Sequence, residues 1–209
     1  MIAGPNGGGK STVGAAALRK TGHDYFDPDT LTRQALERDP HLTHDEANSY
    51  AWHEGRRRLE NAIARRSGYA FETTLGGTTI TELLLKAANV GLPVHLWYVA
   101  LESVDLHVER VARRVARGGH AIPEARIRAR YATSMENLVR LLPHLAELSL
   151  YDNSADNDPE GGGKPVPKLL LHYARGRILE MAAPRETPAW AKPIIAAAIG
   201  LTIPPPPAA

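Results

Sequence analysis

The sequence predicts an α/β protein of three layers: a parallel sheet of about five strands with helices on both faces. Three observations carry that expectation. A glycine-rich loop, Gly4-Pro5-Asn6-Gly7-Gly8-Gly9-Lys10-Ser11-Thr12, follows the apolar Met1-Ile2-Ala3 and leads into a helical stretch. Residues 94–101 form an apolar run, the mark of a strand covered on both faces. Other short strand-like runs alternate with helical segments and end near carboxylates, at Asp27, Asp29 and Glu72. Parallel sheets place their chemistry at that edge.

The glycine-rich loop fits G-x-x-x-x-G-K-[ST], with Gly4, Gly9, Lys10 and Ser11 at the defining positions. Glycines allow positive φ, so successive N–H groups can converge on a phosphate, while Lys10 reaches the β- and γ-phosphates. Ser11 is then the Mg²⁺ ligand, and residues 4–12 as a whole hold ATP or GTP. A helix over residues 12–20 would point its N-terminus at the anion and stop at Thr21-Gly22. Only three residues precede Gly4, so the first strand is either very short or preceded by further chain.

Length and composition narrow the classes. The 209 residues suffice for one α/β domain, expected over 1–203, with the proline-rich 204–209 as a disordered tail. A formal charge of +2 gives no argument for nucleic acid. The absence of cysteine excludes disulfides and thiolate chemistry. No run of about 18 apolar residues points to a membrane, and the cytoplasm is the expected address.

The next elements follow in order. A strand over residues 24–27 leads into Pro28-Asp29, where Asp27 reads as a turn former or a site carboxylate. Asp29 reads as an N-cap, a first-turn acid or a site carboxylate for a segment over 30–38. Thr43 to Glu46 is a capping box opening a long helix through Arg66, with Gly68 expected to end it. Residues 69–71 form a strand followed by Glu72-Thr73-Thr74, and a second capping box, Thr79 to Glu82, starts a helix that Gly91 and Pro93 terminate.

From Val104 the period becomes helical. Val104, Val108, Val111 and Val115 make one stripe, and Arg110, Arg113, Arg114 and Arg117 gather opposite. Gly118-Gly119-His120 interrupts, and Pro123 starts a second helix with Ile127, Tyr131, Met135, Leu138 and Leu142 on one face and Arg126, Arg128 and Arg130 in its first turns. Two arginine-bearing helices about a double glycine suit a closing phosphate clamp, or else an ordinary solvated surface. His120 reads as a hinge residue or a substrate contact. Residues 148–151 form a fifth strand, 156–167 a loop, 168–173 and 177–181 a small hairpin, and 190–199 a short helix.

Taken together, residues 4–12, Phe26-Asp27-Pro28-Asp29, Phe71-Glu72-Thr73-Thr74, the run 110–131 and Tyr151-Asp152-Asn153-Ser154 resemble the zeta-toxin family of phosphate-loop kinases, in particular its short bacterial branch called "predicted ABC-type ATPase". The resemblance spans roughly residues 2–154. It implies a P-loop NTPase, kinase-like fold with a helical arginine-bearing lid, and transfer of the γ-phosphoryl of ATP or GTP to a hydroxyl of a small acceptor. In the family that acceptor is UDP-N-acetylglucosamine, and a small helical antitoxin is the protein partner.

By the same resemblance Asp29 is the base, and Arg110, Arg114, Arg117 and Arg130 are the clamp. Glu72 and Thr74 match the family's acceptor-binding Glu-x-Thr, and Asp27, Thr73 and His120 are further candidate acceptor contacts. The family's basic residue three places after the catalytic Asp is Thr32 here, and its His-Pro is Asp39-Pro40. Three alternatives stand beside this reading: a metabolite kinase with no toxin role, a nucleotide-binding module with weakened catalysis, and Glu72 as base with Asp29 near the metal.

Overall fold

The computed structural model describes residues 1–14, 25–155 and 166–202. One seven-stranded sheet runs through it in the order β2-β3-β1-β4-β5-β6-β7. The strands are β1 (Ile2–Ala3), β2 (Tyr25–Phe26), β3 (Ala70–Thr73), β4 (His95–Ala100), β5 (Glu147–Asp152), β6 (Lys168–Ala174) and β7 (Arg177–Met181). The first five neighbours in that order are parallel, while β6 and β7 continue the sheet antiparallel. The hairpin expected from sequence therefore extends the sheet itself. Although β1 has two residues, it lies between β3 and β4, and Ile2 and Ala3 are wholly buried.

The helices are α1 (Lys10–Val13), α2 (Pro28–Arg38), α3 (His44–Arg65), α4 (Thr78–Asn89), α5 (Val104–Ala116), α6 (Glu124–Leu141) and α7 (Lys192–Leu201). The two-residue period of β4 separates the faces. Leu96, Tyr98 and Ala100 join the main core with Leu59 of α3, Leu84 of α4, Leu138 of α6 and Ile194 of α7. On the other face Trp97 and Ile2 meet Gly14 at the end of α1. These layers are those of a P-loop NTPase-like α/β/α fold.

Several boundaries differ from the sequence expectation, each for a local reason. α2 begins at Pro28, not Thr30, because Asp27 is its N-cap and accepts from the Asp29 N–H at 3.0 Å. The capping box of α3 forms between Thr43 and Glu46. Its end, however, is Arg66 in the left-handed region (φ 52°), so Gly68 is not needed. α4 starts at Thr78 after Gly77 with no side-chain cap, and the expected box at Thr79 and Glu82 does not form.

In α5 the buried residues are His107 and Val111, so a polar ring sits within the valine stripe. The expected continuation of α1 through residue 20, its stop at Thr21-Gly22, Asp24, most of the 156–167 loop and the 204–209 tail lie outside the described residues.

Just before α7, Trp190 is buried against Tyr98 (ring centroids 6.2 Å apart) and donates from Nε1 to Asp152 Oδ2 at 3.2 Å. It ties the C-terminal segment to the end of β5. Trp190→Ala should cost about 3–5 kcal/mol in urea unfolding, while Trp190→Phe, which loses the hydrogen bond and part of the buried ring, should cost less but more than the roughly 1 kcal/mol of the bond alone.

Candidate functional site

The glycine-rich loop leaves β1 and turns back over the C-terminal ends of the parallel strands. Gly4 (φ 140°) packs directly on the Val99 carbonyl of β4, where any side chain would overlap that oxygen. Gly9 (φ 83°) does the same against the Asn153 amide. Both glycines are therefore required by sterics as well as by dihedral angle. Asn153 is buried and donates from Nδ2 to the Gly8 carbonyl at 3.0 Å. From the other side, His107 Nδ1 donates to the Asn6 carbonyl at 2.7 Å, and its Nε2 accepts from the Leu101 N–H at 3.1 Å. Those two bonds fix the neutral Nδ1–H tautomer.

Lys10 is buried, with its ammonium on the Pro5 carbonyl at 3.2 Å and 3.6 Å from Glu72. Ser11 Oγ donates to Glu72 Oε2 at 3.2 Å, and the Tyr25 hydroxyl donates to the same oxygen at 2.8 Å. Thus Glu72, expected against the acceptor, stands beside the lysine and serine of the glycine-rich loop. The pairing of a hydroxyl with a carboxylate gives hard oxygen donors that suit Mg²⁺, which takes one or two protein ligands beside phosphate oxygens and water. Among the described residues no group of three or more His, Cys, Asp or Glu could hold a metal alone.

A second cluster faces this one. Arg130 of α6 donates to Asn6 Oδ1 at 3.2 Å. Burial and Arg126 draw its guanidinium below the ordinary value, with Asp29 opposing, but an arginine stays charged. Arg114 donates to the His120 carbonyl at 3.1 Å and lies 3.9 Å from Asp29. Asp29 is itself 80% exposed in the first turn of α2. The His120 ring stacks on His44 at 3.3 Å, and its pKa is lowered by burial, then by His44 and Arg114.

The remaining expected residues are placed as follows. Arg110 donates to the carbonyls of Ser154 and Ala155, each at 3.1 Å. Arg117 is exposed at the end of α5. Asp27 uses both carboxylate oxygens on its own helix, accepting from Asp29 N and Thr30 Oγ1. Thr73 and Thr74 accept from the backbone N–H groups of Leu75 and Gly76, which shapes the turn after β3. Thr12 lies in α1.

Sequence reasoning missed three residues: His107, Asn153 as a loop support, and Tyr25. The readable signal was at His107, a single polar residue among Val104, Val108 and Val111.

No protein-family model matches the chain. An uncharacterized protein of Haemophilus influenzae (strain ATCC 51907 / DSM 11121 / KW20 / Rd) is 32% identical over 135 residues, 61% of this chain and 88% of that protein. Among solved structures, the crystal structure of AvrRxo1-ORF1:-ORF2 with ATP superposes with a TM-score of 0.63 at 14% identity, over 94% of this chain. This chain spans 62% of that one's length. The native AvrRxo1-ORF1:-ORF2 complex gives a TM-score of 0.62 at 15% identity, over 98% of this chain and 71% of that one. At such identities the likeness is one of fold. Among the described residues no helix is long and apolar enough to cross a membrane.

Burial gives the loop support a pH dependence. It lowers the His107 pKa from 6.5 to about 4, against the bond to Asn6, so the folded protein favours the neutral ring. That contribution to stability is full above pH 6.5 and is lost as pH falls towards about 4. Thermal melts should show wild type losing stability across that window more steeply than His107→Gln. Equal slopes would mean that His107 does not titrate this way.

Proposed function

The chain belongs to the same family as the uncharacterized Haemophilus influenzae protein, and we propose that it is a nucleotide-dependent kinase moving the γ-phosphoryl of ATP or GTP to a hydroxyl of a small acceptor. The observation that carries this reading is the convergence on one strand edge of a preformed phosphate loop, a carboxylate at its lysine and serine, and an arginine pair beside a second carboxylate. The loop N–H groups and Lys10 bind and orient the triphosphate. Mg²⁺ at Ser11, with Glu72 beside it, would neutralise charge on the β- and γ-oxygens.

Asp29 accepts the acceptor's hydroxyl proton as that oxygen bonds to the γ-phosphorus, the bond from phosphorus to the bridging oxygen breaks, and the nucleoside diphosphate leaves. Arg114 and Arg130 hold the equatorial oxygens of the transferring group, for which the planar guanidinium fork is suited. Arg110 and Arg117 extend the clamp, and Asp27, Thr73, Thr74 and His120 border the acceptor. The position of Glu72 on Ser11 and Lys10 favours a role on the phosphate side for it, and leaves the exposed Asp29 as the base.

A UDP-sugar acceptor and a small antitoxin partner are what the resemblance to zeta toxins adds, and the cytoplasm is the address that the sequence pattern suggests. The two-protein AvrRxo1-ORF1:-ORF2 complex supports looking for a protein partner. One kinase domain over 1–203 is the matching organisation.

The reading is tested by incubating a bacterial metabolite extract with ATP, Mg²⁺ and the protein, and following new phosphorylated species by mass spectrometry. Wild type should yield a product gaining one phosphoryl group, and Lys10→Ala none. A product from Lys10→Ala equal to wild type would sink the proposal. With that acceptor in hand, Asp29→Asn should lower kcat roughly 10²-fold or more at nearly unchanged nucleotide KM. Glu72→Gln should instead raise the Mg²⁺ and ATP concentrations needed for half-maximal rate. The opposite pattern would exchange the two roles.

A further inference from the structure

His107 has no solvent exposure, yet no step of the proposed transfer uses it. It lies on α5 along one line with Arg110 and Arg114, since residues three, four and seven apart share a helix face. At the base of that line the ring is bonded to the phosphate loop through Asn6. Higher up, Arg110 reaches the Ser154 and Ala155 carbonyls, and Arg114 reaches His120 and Asp29.

Asn6 is engaged twice: its carbonyl takes His107 of α5, and its side-chain oxygen takes Arg130 of α6. A T-shaped contact between the His107 and Tyr131 rings, 5.3 Å between centroids, closes the group. One residue of the phosphate loop thus joins both arginine-bearing helices. A swing of α5 as a whole about Gly118 would leave the partly buried Asn6 carbonyl and the buried Leu101 N–H without partners, the latter alone at a cost of about 1–3 kcal/mol.

We propose that His107 and Asn6 are positioning residues that register the arginine clamp on the phosphate loop, His107 through α5 and Asn6 through Arg130. This rests on the kinase reading of the same site. It places the clamp's reference point in the loop. Neither residue needs to touch the transferring group; both act through where the arginines stand.

The test compares Asn6→Ala, His107→Leu and His107→Asn for ATP affinity by calorimetry and for ADP release from Mg·ATP with water as acceptor. Asn6→Ala keeps the carbonyl that His107 binds and frees Arg130. It should hold the ATP Kd within about 3-fold while lowering kcat about 10-fold, the split expected of a contact that matters in the transition state. His107→Leu removes both ring bonds and should weaken ATP binding about 10-fold as well as lower kcat. His107→Asn, which can still donate to the Asn6 carbonyl, should recover most of the affinity.

Wild-type kcat in Asn6→Ala would overturn the inference, as would a folded His107→Leu with unchanged Kd and kcat. Should His107→Leu fail to fold, the Asn6→Ala split decides alone. Failure of the wild type to bind ATP would remove the kinase reading, and this inference with it.

Discussion

The glycine-rich loop is held from three directions, and most of the described architecture can be traced to that confinement. Beneath it the Val99 carbonyl of β4 presses on Gly4; on one side the Asn153 amide bonds to Gly8 and crowds Gly9; on the other the buried His107 ring holds Asn6. The three supports come from β4, from the end of β5 and from α5. The parallel order β1-β4-β5 brings the first two together at one edge, and the helix after β4 supplies the third. A loop that would otherwise be flexible is thereby given one shape, with Lys10 and Ser11 at its far end.

The opposite wall of the site is fixed by a different device. Along α6, Thr133, Ser134 and Asn137 donate to the carbonyls of residues 74–77, and Ser134 is also bonded to the buried Tyr98 hydroxyl of β4. The turn after β3 contains Leu75 at positive φ with its side chain buried. These bonds satisfy a turn that a sheet cannot satisfy by itself. They also fix α6, and with it Arg130, relative to Glu72. Behind β5, Trp190 bonds to Asp152, next to the Asn153 that supports the loop. The antiparallel β6 and β7 and the C-terminal helix are thus connected to the site through packing on β5.

The parts legible in the sequence were those written in local pattern. The glycine loop, the apolar β4, the capping box at Thr43 and the helical stripe of Ile127 and Leu138 all depend on neighbours within a few residues. The parts that were not legible depend on contacts between distant segments. Asn153 lies 145 residues from the Gly8 it supports, and His107 lies 101 from Asn6. In each case the side chain is an ordinary polar residue whose use is set by tertiary packing. Arg66 ending α3 in a left-handed conformation is similar, since a glycine two residues on was the stronger local signal. Glu72 was singled out by its strand-end position, but position alone could not tell that its carboxylate would face Lys10 and Ser11.

If the loop is shaped in advance for a chain of phosphates, affinity should follow phosphate number and not the nucleoside. Calorimetric titration of the protein with ATP and with AMP, each with Mg²⁺, tests this most directly. ATP should bind at least about 100-fold tighter than AMP, roughly 2.7 kcal/mol for the phosphates that only the triphosphate places in the loop. Equal affinity for the two, or no binding of either, would contradict it.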